Sequence, residues 1–196
     1  MSNQTSDNNK RIAKNIMVCS KITKKITNIN RNIIYNTKNI LLNSVASSVI
    51  CPPIFQRVIY RALGYHIHSA ARVYPQCFCG AGKGKLVVGK GSYVNYRCFL
   101  DLGADIIIGK NVSVAFNCTF INSTHEFGTE FQRAGKGTSD KIIIKDGCWI
   151  GANVTIMPGV TIGQGCIIGS NSLVISDTEP NSLYVGQPAK KLKNVR

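Results

Sequence analysis

One histidine of this chain, His125, has a position that suits a catalytic base. His125 closes a six-residue unit, and residues 126–140, which contain Gly128, Gly135 and Gly137 among alternating charges, follow it directly. A segment of this length inside a regular repeat usually carries function. Imidazole titrates near neutral pH and can take the proton of an attacking hydroxyl group. His125 is therefore a candidate general base; the alternative, which is the default for a lone histidine, is a surface residue at a loop edge.

The elements that must position His125 follow a six-residue repeat. An aliphatic or aromatic residue returns every six positions at Val88, Val94 and Leu100, at Ile108, Val114 and Phe120, and at Ile144, Ile150, Ile156, Ile162, Ile168 and Val174. A period of six fits neither a helix nor a single amphipathic strand. Three such units, each a short strand and a corner, would close one triangular coil, and stacked coils would pair as parallel strands about 4.8 Å apart. We predict an all-β solenoid over residues 65–177.

The corners of the predicted coils carry a second pattern. Small residues stand four places after the aliphatic ones, and they include Cys98, Cys118, Cys148 and Cys166, with Cys77 in the same phase. Free cysteine packs there as a compact apolar residue, so we expect packing rather than metal binding from these thiols. Turn residues that tolerate positive φ are Gly91, Asn111, Gly147, Gly159, Gly165 and Asn171.

This repeat resembles that of the hexapeptide-repeat acyltransferases. The stretch from Asn95 to Lys193 is most similar to galactoside and maltose O-acetyltransferases, whereas the N-terminal part looks more like acetyltransferases of capsule and exopolysaccharide biosynthesis. The resemblance implies a left-handed parallel β-helix with short N-terminal helices, and the left hand is implied by it alone, since crossover rules favour the right. It also implies acetyl-CoA as the donor, no metal, and a homotrimer with the active site in the groove between adjacent subunits.

The resemblance assigns roles to particular residues. The family's catalytic histidine falls at His125, Asn95 matches an asparagine that hydrogen-bonds the sugar hydroxyl, and Trp149 matches a tryptophan that lines the cleft. The residues implied to bind the donor are Gly151, Ala152, Ser170 and Asn171 along the pantetheine arm, and Lys190 and Lys193 near the CoA phosphates. A sugar-binding carboxylate of the family falls at Gly103, so Asp101 either substitutes for it or has a structural role.

These assignments predict an acetyl-CoA-dependent O-acetyltransferase. It would act on a carbohydrate hydroxyl, of a surface-polysaccharide precursor, by direct transfer with His125 as the base. N-acetylation of an amino sugar or an antibiotic would use the same base and cleft. A metal site like that of the γ-type carbonic anhydrases needs three converging histidines, but His66 and His68 would point to opposite faces of a strand. The joint presence of Asn95, His125, Trp149 and the basic C-terminal tail argues against a non-catalytic scaffold.

The charge of the chain limits the classes of partner that it is expected to bind. The formal net charge is +15, and eight Lys or Arg residues stand against Asp7 alone in residues 1–40. This balance suits CoA phosphates, nucleotide- or lipid-linked sugars, or an anionic bilayer. Nucleic acid is not expected, because no recognised motif is present and Tyr35 is the only aromatic residue of the basic segment. No apolar run approaches the ~20 residues of a membrane span, so we expect a cytoplasmic protein.

The chain divides into four predicted parts. Residues 1–39 form a basic Asn/Ile/Lys-rich tail or an amphipathic helix, with isoleucines at positions 12, 16, 22, 26, 29 and 33. Such a helix could contact an anionic membrane peripherally or join a three-stranded coiled coil. Residues 40–64 form short helices whose apolar face, comprising Ile54, Val58, Ile59 and Leu63, caps the solenoid. The solenoid with its loop 126–140 follows, and residues 178–196 form a basic tail.

Overall fold

The computed structural model describes residues 2–195, with side chains described for residues 20, 21 and 23–195. The chain forms two compact units, Met1–Thr37 and Lys38–Arg196. Helix α1 runs over Ser2–Ile40, a π-helix over Leu41–Ala46 and helix α2 over Pro53–Ala62. The predicted isoleucines at positions 12, 16 and 22 have side chains outside the described residues, whereas Ile26, Ile29 and Ile33 are exposed.

The second unit is a parallel β-solenoid, as the six-residue repeat predicts. Its first face contains β1 (His66–Ile67), β4 (Leu86–Val88), β7 (Ile106–Ile108), β12 (Ile142–Ile144) and β15 (Thr161–Ile162). Its second face contains β2 (Arg72–Val73), β5 (Tyr93–Val94), β8 (Ser113–Val114), β13 (Trp149–Ile150), β16 (Ile167–Ile168), β18 (Ser182–Val185) and β19 (Lys190–Asn194). Its third face contains β3 (Phe78–Cys79), β6 (Phe99–Leu100), β9 (Thr119–Phe120), β14 (Thr155–Ile156) and β17 (Leu173–Val174).

Three edges separate these faces, and they locate the functional residues. The first edge joins the first and second faces. The second edge joins the second and third faces and comprises residues 74–77, 95–98, 115–118, 151–154 and 169–172. The third edge joins the third face to the first face of the next coil and comprises residues 80–85, 101–105, 121–141 and 157–160. Each of the first four coils thus contributes one segment to each edge.

The core contains the residues that the repeat predicts. The second residue of each two-residue strand points inward, and Val94, Ile150 and Ile168 are fully buried. The five predicted corner cysteines are buried free thiols. Positive φ occurs at all six predicted turn residues: Gly91, Asn111, Gly147, Gly159, Gly165 and Asn171. The hexad phase therefore determined which side chains fill the interior.

The N-terminal cap of the solenoid differs from its prediction. Gln56 and Tyr60 form the buried face of α2, whereas Ile54 and Val58 are exposed. The predicted packing of Ile54 and Val58 against the first coil is therefore wrong; Ile59 and Leu63 do pack against the core. The physical reason is hydrogen bonding, because the buried Gln56 side chain donates to the carbonyl of Ala46 at 3.0 Å.

The open strand edge of the first coil is covered by the π-helix. Asn43 accepts a hydrogen bond from the backbone N–H of Cys79 at 2.7 Å and donates to its carbonyl at 2.9 Å. One amide side chain thus replaces a neighbouring strand at β3. Among the described residues, none of the helices is both long and apolar enough to cross a bilayer.

Candidate active site

His125 lies on a β-hairpin that leaves the third edge of the solenoid. Strand β10 (Ser123–Phe127) pairs antiparallel with β11 (Ala134–Ser139), so the predicted loop 126–140 is largely a hairpin, whose register shifts between His125 and Phe127. The two strands pair only with each other. His125 is exposed on β10, opposite Gly137 on β11. The hairpin thus presents the imidazole outside the solenoid core.

The residue opposite His125 leaves its ring accessible. A Cβ atom placed on Gly137 would lie 3.9 Å from both Cδ2 and Nε2 of the imidazole. That separation is ordinary van der Waals contact, so a methyl group at position 137 would touch this side of the ring. Glycine leaves the Nε2 side of the imidazole free of that contact.

Two side chains of the third edge, those of Asp101 and Asn122, anchor the hairpin base. Asp101 accepts hydrogen bonds through Oδ2 from the backbone N–H groups of Ser123, at 2.8 Å, and Asn122, at 3.3 Å. The fully buried Asn122 accepts from the N–H of Gly103 at 2.9 Å and donates to the carbonyl of Ala104 at 2.5 Å. The carboxylate of Asp101 thus holds the start of β10, which is a structural role; the predicted substrate contact of Asp101 stays a prediction.

Gly103 explains one departure from the family pattern. A Cβ atom there would lie 2.0 Å from Oγ of Ser123 and 3.4 Å from Cβ of Ser139, so both ends of the hairpin close over this glycine. A side chain at this position, such as the carboxylate that the resemblance implies, would have to move the hydroxyl of Ser123. Asn122 was not among the predicted site residues. The sequence does carry a signal for it, since Asn122 occupies the position at which the preceding coil buries Leu102.

Asn95 lies at the second edge, one coil below β8. Its side chain is half-buried, and its Oδ1 accepts a hydrogen bond from the N–H of Tyr96 at 2.9 Å. Because the carboxamide has further donors and acceptors, it can still bind a ligand. A shallow cavity of about 300 Å³ at this edge is lined by Asn95, Tyr96, Arg97 and Phe116, together with Gln76 and Asn117.

Trp149 lies on the second face beside the same edge. It is the outward residue of β13 and is 57% exposed. Its neighbours in register are Ser113 on one side and Ile167 on the other. The small side chain of Ser113 leaves one side of the indole uncovered, so Trp149 offers an apolar surface next to the edge that carries Asn95.

The predicted donor-binding residues stack along the second edge. Gly151 brings two coils close together, since a Cβ there would lie 2.6 Å from the backbone nitrogen of Ser170. The N–H of Gly151 donates to Ile168 at 2.8 Å, and the N–H of Ala152 donates to the hydroxyl of Ser170 at 3.2 Å. These two amides already have partners within the chain. Ser170 and Asn171, one coil further, are exposed.

The C-terminal tail joins the same edge. The side chain of Gln187 donates to the carbonyl of Asn171 at 2.6 Å, and the chain then enters β19, which pairs antiparallel with β18. Lys190 and Lys193 are exposed on β19. The neighbouring Lys191 instead forms an ion pair with Glu179 at 2.5 Å. Two cations therefore extend the second face without an ion-pair partner among the described residues.

The single chain divides the predicted site into two groups. Asn95, Trp149 and the stacked residues 151–152 and 170–171 lie at or beside the second edge, whereas Asp101 and His125 belong to the third. One face of the solenoid, about five residues or roughly 16 Å wide, separates the two edges. The chain by itself does not bring the base next to the predicted donor groove.

The other histidines lie apart from His125, and burial makes two of the cysteines poor nucleophiles. His66 and His68 belong to the first coil and His125 follows the third, so the three histidines do not converge within one chain. Among the described side chains, no group of three His, Cys, Asp or Glu could hold a metal ion. Burial raises the pKa of Cys79 to about 12 and that of Cys148 to about 11. These thiols stay protonated near neutral pH and are poor nucleophiles.

The comparisons with known proteins agree with this architecture. Residues 141–176 match the family model "Bacterial transferase hexapeptide (six repeats)". A putative acetyltransferase of Schizosaccharomyces pombe is 41% identical over 108 residues, which is 55% of this chain and 52% of that protein. A galactoside O-acetyltransferase of Lactococcus lactis is 28% identical over 149 residues, which is 76% of this chain and 72% of that enzyme. This chain spans about half the length of several curated relatives that it matches.

The fold of this chain is also similar to that of a solved structure. The hexapeptide-repeat-containing acetyltransferase of Vibrio cholerae, complexed with acetyl-CoA, superposes with a TM-score of 0.74 at 28% identity, covering 84% of this chain and 88% of that one. Fold and edge residues together define a parallel β-helix built of hexapeptide repeats. In sequence and fold the chain is therefore similar to hexapeptide-repeat acetyltransferases, and one of these relatives is a galactoside O-acetyltransferase.

Proposed function

We propose that this protein is an acetyl-CoA-dependent O-acetyltransferase that modifies a carbohydrate hydroxyl, of a surface-polysaccharide precursor. The observation that carries the proposal is the exposed His125, set opposite Gly137 on a hairpin anchored by buried hydrogen bonds. An acetyltransferase relative has been solved with acetyl-CoA, and another is named for a galactoside acceptor. The first supports acetyl-CoA as the donor, and the second supports a carbohydrate as the acceptor.

The proposed reaction is direct transfer. The acceptor oxygen attacks the thioester carbonyl while Nε2 of His125 takes the hydroxyl proton. The tetrahedral intermediate then collapses, the carbon–sulfur bond breaks, and the imidazolium returns the proton to the CoA thiolate. The products are an acetyl ester and CoA. Because the cysteines of the coil corners are buried, the proposed reaction has no acyl-cysteine intermediate.

We further propose that the active unit is a homotrimer with a shared site. Within one chain a whole face separates His125 from Asn95 and from the stacked residues 151–152 and 170–171. An adjacent copy could bring its second edge to this hairpin. The hairpin tip supports the idea, because Phe127 and Phe131 are almost fully exposed, as expected of side chains that a second copy covers.

In this trimer, each groove would take its base from one subunit and its donor contacts from the next. Gly151, Ala152, Ser170 and Asn171 would line the pantetheine arm, and Trp149 would pack beside it. Lys190 and Lys193 would face the CoA phosphates. Peripheral contact of residues 1–36 with anionic membrane also stays a prediction.

Subunit mixing tests the shared site and the chemistry together. His125→Ala and Asn95→Ala proteins should each be nearly inactive, and mixed trimers should regain one intact site of three. Random mixing of equal amounts should therefore restore about a quarter of the wild-type rate. No recovery, although exchange of labelled subunits is demonstrated, would refute the shared site.

The acceptor is identified separately. Mass spectrometry of candidate glycans, galactosides and amino sugars incubated with the protein and acetyl-CoA should show acetyl esters on hydroxyl groups. Acetyl amides formed on amino sugars alone would refute O-acetylation and favour an N-acetyltransferase.

A further inference from the structure

An apolar surface lies at the N-terminal end of the solenoid unit. It comprises Val45, Val49, Ile50, Ile54, Phe55 and Val58, whose side chains are between 41% and 85% exposed. We name it the apolar end patch. A groove of about 420 Å³ runs along it, lined by Val45, Ile50, Phe55 and Val58, together with Ile59, Pro52 and neighbouring small residues. Contiguous exposed apolar surface of this kind marks interaction sites.

The patch is a fixed feature of the cap. The opposite side of α2 is held by the buried Gln56, bonded to Ala46, and by the buried ring of Tyr60, whose hydroxyl lies 3.9 Å from the sulfur of Cys79. Turning Ile54 and Val58 inward would break these contacts. The fold therefore keeps the more polar side of α2 inside and its apolar side outside.

The charge around the patch has one sign. From Lys38 to Leu100 the chain has eight Lys or Arg residues and no Asp or Glu. From Asp101 to Arg196 it has nine basic and eight acidic residues. Since position along the solenoid follows the sequence, the excess positive charge of this unit lies at the end that carries the apolar end patch. Arg61, Arg72, Lys83 and Lys85 are exposed there.

We propose that the apolar end patch docks this protein on an anionic lipid bilayer. Apolar side chains beside clustered cations are the features with which interfacial helices enter the headgroup region. A second copy fits less well, because two patches of like charge would repel each other. Docking through this surface is independent of the contact predicted for residues 1–36. It would set the His125 hairpin, two coils above the first, about 10 Å further from the bilayer.

Vesicle binding by the full-length protein tests the proposal. The triple variant Ile54→Ser, Phe55→Ser, Val58→Ser should bind phosphatidylglycerol/phosphatidylcholine vesicles roughly tenfold more weakly or worse than wild type. Its matched control, Ile175→Ser with Leu192→Ser, removes apolar side chains that are 55% and 63% exposed in the C-terminal part. The control should bind within about twofold of wild type.

Charge variants test the electrostatic part. Arg61→Gln with Lys83→Gln should weaken binding to anionic vesicles severalfold, whereas Lys141→Gln with Lys145→Gln in the fourth coil should not. Binding to pure phosphatidylcholine should be weak for every variant. Equal weakening by both charge pairs would show a general charge effect and would overturn the proposed surface.

A fluorescence measurement does not depend on the stability of the triple variant. With Trp149→Phe as the background, Phe55→Trp supplies a single tryptophan, and its emission should shift to the blue on phosphatidylglycerol vesicles. No shift, or equal vesicle binding by wild type and the triple variant, would overturn the proposal. So would light scattering in which the triple variant alone loses a subunit, because the patch would then be an interface between copies.

Discussion

Replacing Asn122 with Ala should reduce turnover without weakening donor binding. Asn122 lies at the base of the hairpin, fully buried, and touches neither proposed substrate. Its side chain links two points of the coil below, the N–H of Gly103 and the carbonyl of Ala104. The substitution removes both hydrogen bonds. It leaves Asp101 as the remaining side-chain anchor of β10.

The expected cost follows from these two bonds. A buried polar group left without a partner costs about 1–3 kcal/mol, and Gly103 and Ala104 are only half-buried, so we expect roughly 2–4 kcal/mol in total. The hairpin pairs with no other strand, and an isolated two-stranded sheet is marginally stable. The lost free energy should therefore mainly disturb the position of His125. If about 2 kcal/mol is lost from the productive position, kcat should fall roughly 30-fold.

Steady-state kinetics and thermal unfolding separate placement from general destabilisation. The control is Ser92→Ala at the first edge, where a buried hydroxyl donates to Gly109 at 2.6 Å and accepts from Val112 at 2.9 Å. Both variants should have a lower Tm. Only Asn122→Ala should lose kcat below that Tm, with the KM for acetyl-CoA within about twofold of wild type. Equal kcat in the two variants would refute the positioning role of Asn122.

Three further predictions concern the base, the tail and the thiols. His125→Ala should lower turnover by roughly 10²–10⁴-fold with little change in acetyl-CoA affinity, and full turnover in this variant would remove the mechanism. Changing Lys190 and Lys193 to Ala should raise the KM for acetyl-CoA more than the KM for a dephospho-CoA donor, and it should weaken the salt dependence of the KM for acetyl-CoA. Equal increases in KM with both donors would mean that the tail packs against the protein without contacting the CoA phosphates. The side chain of Cys19 is outside the described residues, so the thiol prediction uses a Cys19→Ser variant. This variant should react in its folded state with one equivalent of a thiol reagent at mildly alkaline pH, at Cys51, because the other described cysteines are buried. Rapid labelling of several thiols would contradict this burial.

The hexad pattern contained the information for the solenoid. The inward residues, the corner cysteines and the positive-φ turns all followed from a period of six, because each coil repeats the same steric requirements. The family resemblance located His125 and the residues along the second edge. Their roles as base, acceptor contact and donor contacts stay predictions.

Other features depended on contacts between distant parts of the chain. The orientation of α2 was mispredicted, because a hydrogen bond from Gln56 to Ala46 and the burial of Tyr60 outweighed the apolar pattern of Ile54 and Val58. Such contacts between distant residues leave no signal in the local sequence pattern.

The sequence by itself determined the repeat, the buried residues and the candidate base, since these depend on periodicity and residue type. Only the tertiary structure decided that the segment after His125 is a hairpin, that Asp101 and Asn122 anchor it, and that a whole face separates it from Asn95. The physical reason is that the stacking of coils sets these relations. Stacking brings residues about twenty positions apart into hydrogen-bonding contact and assigns others to different edges.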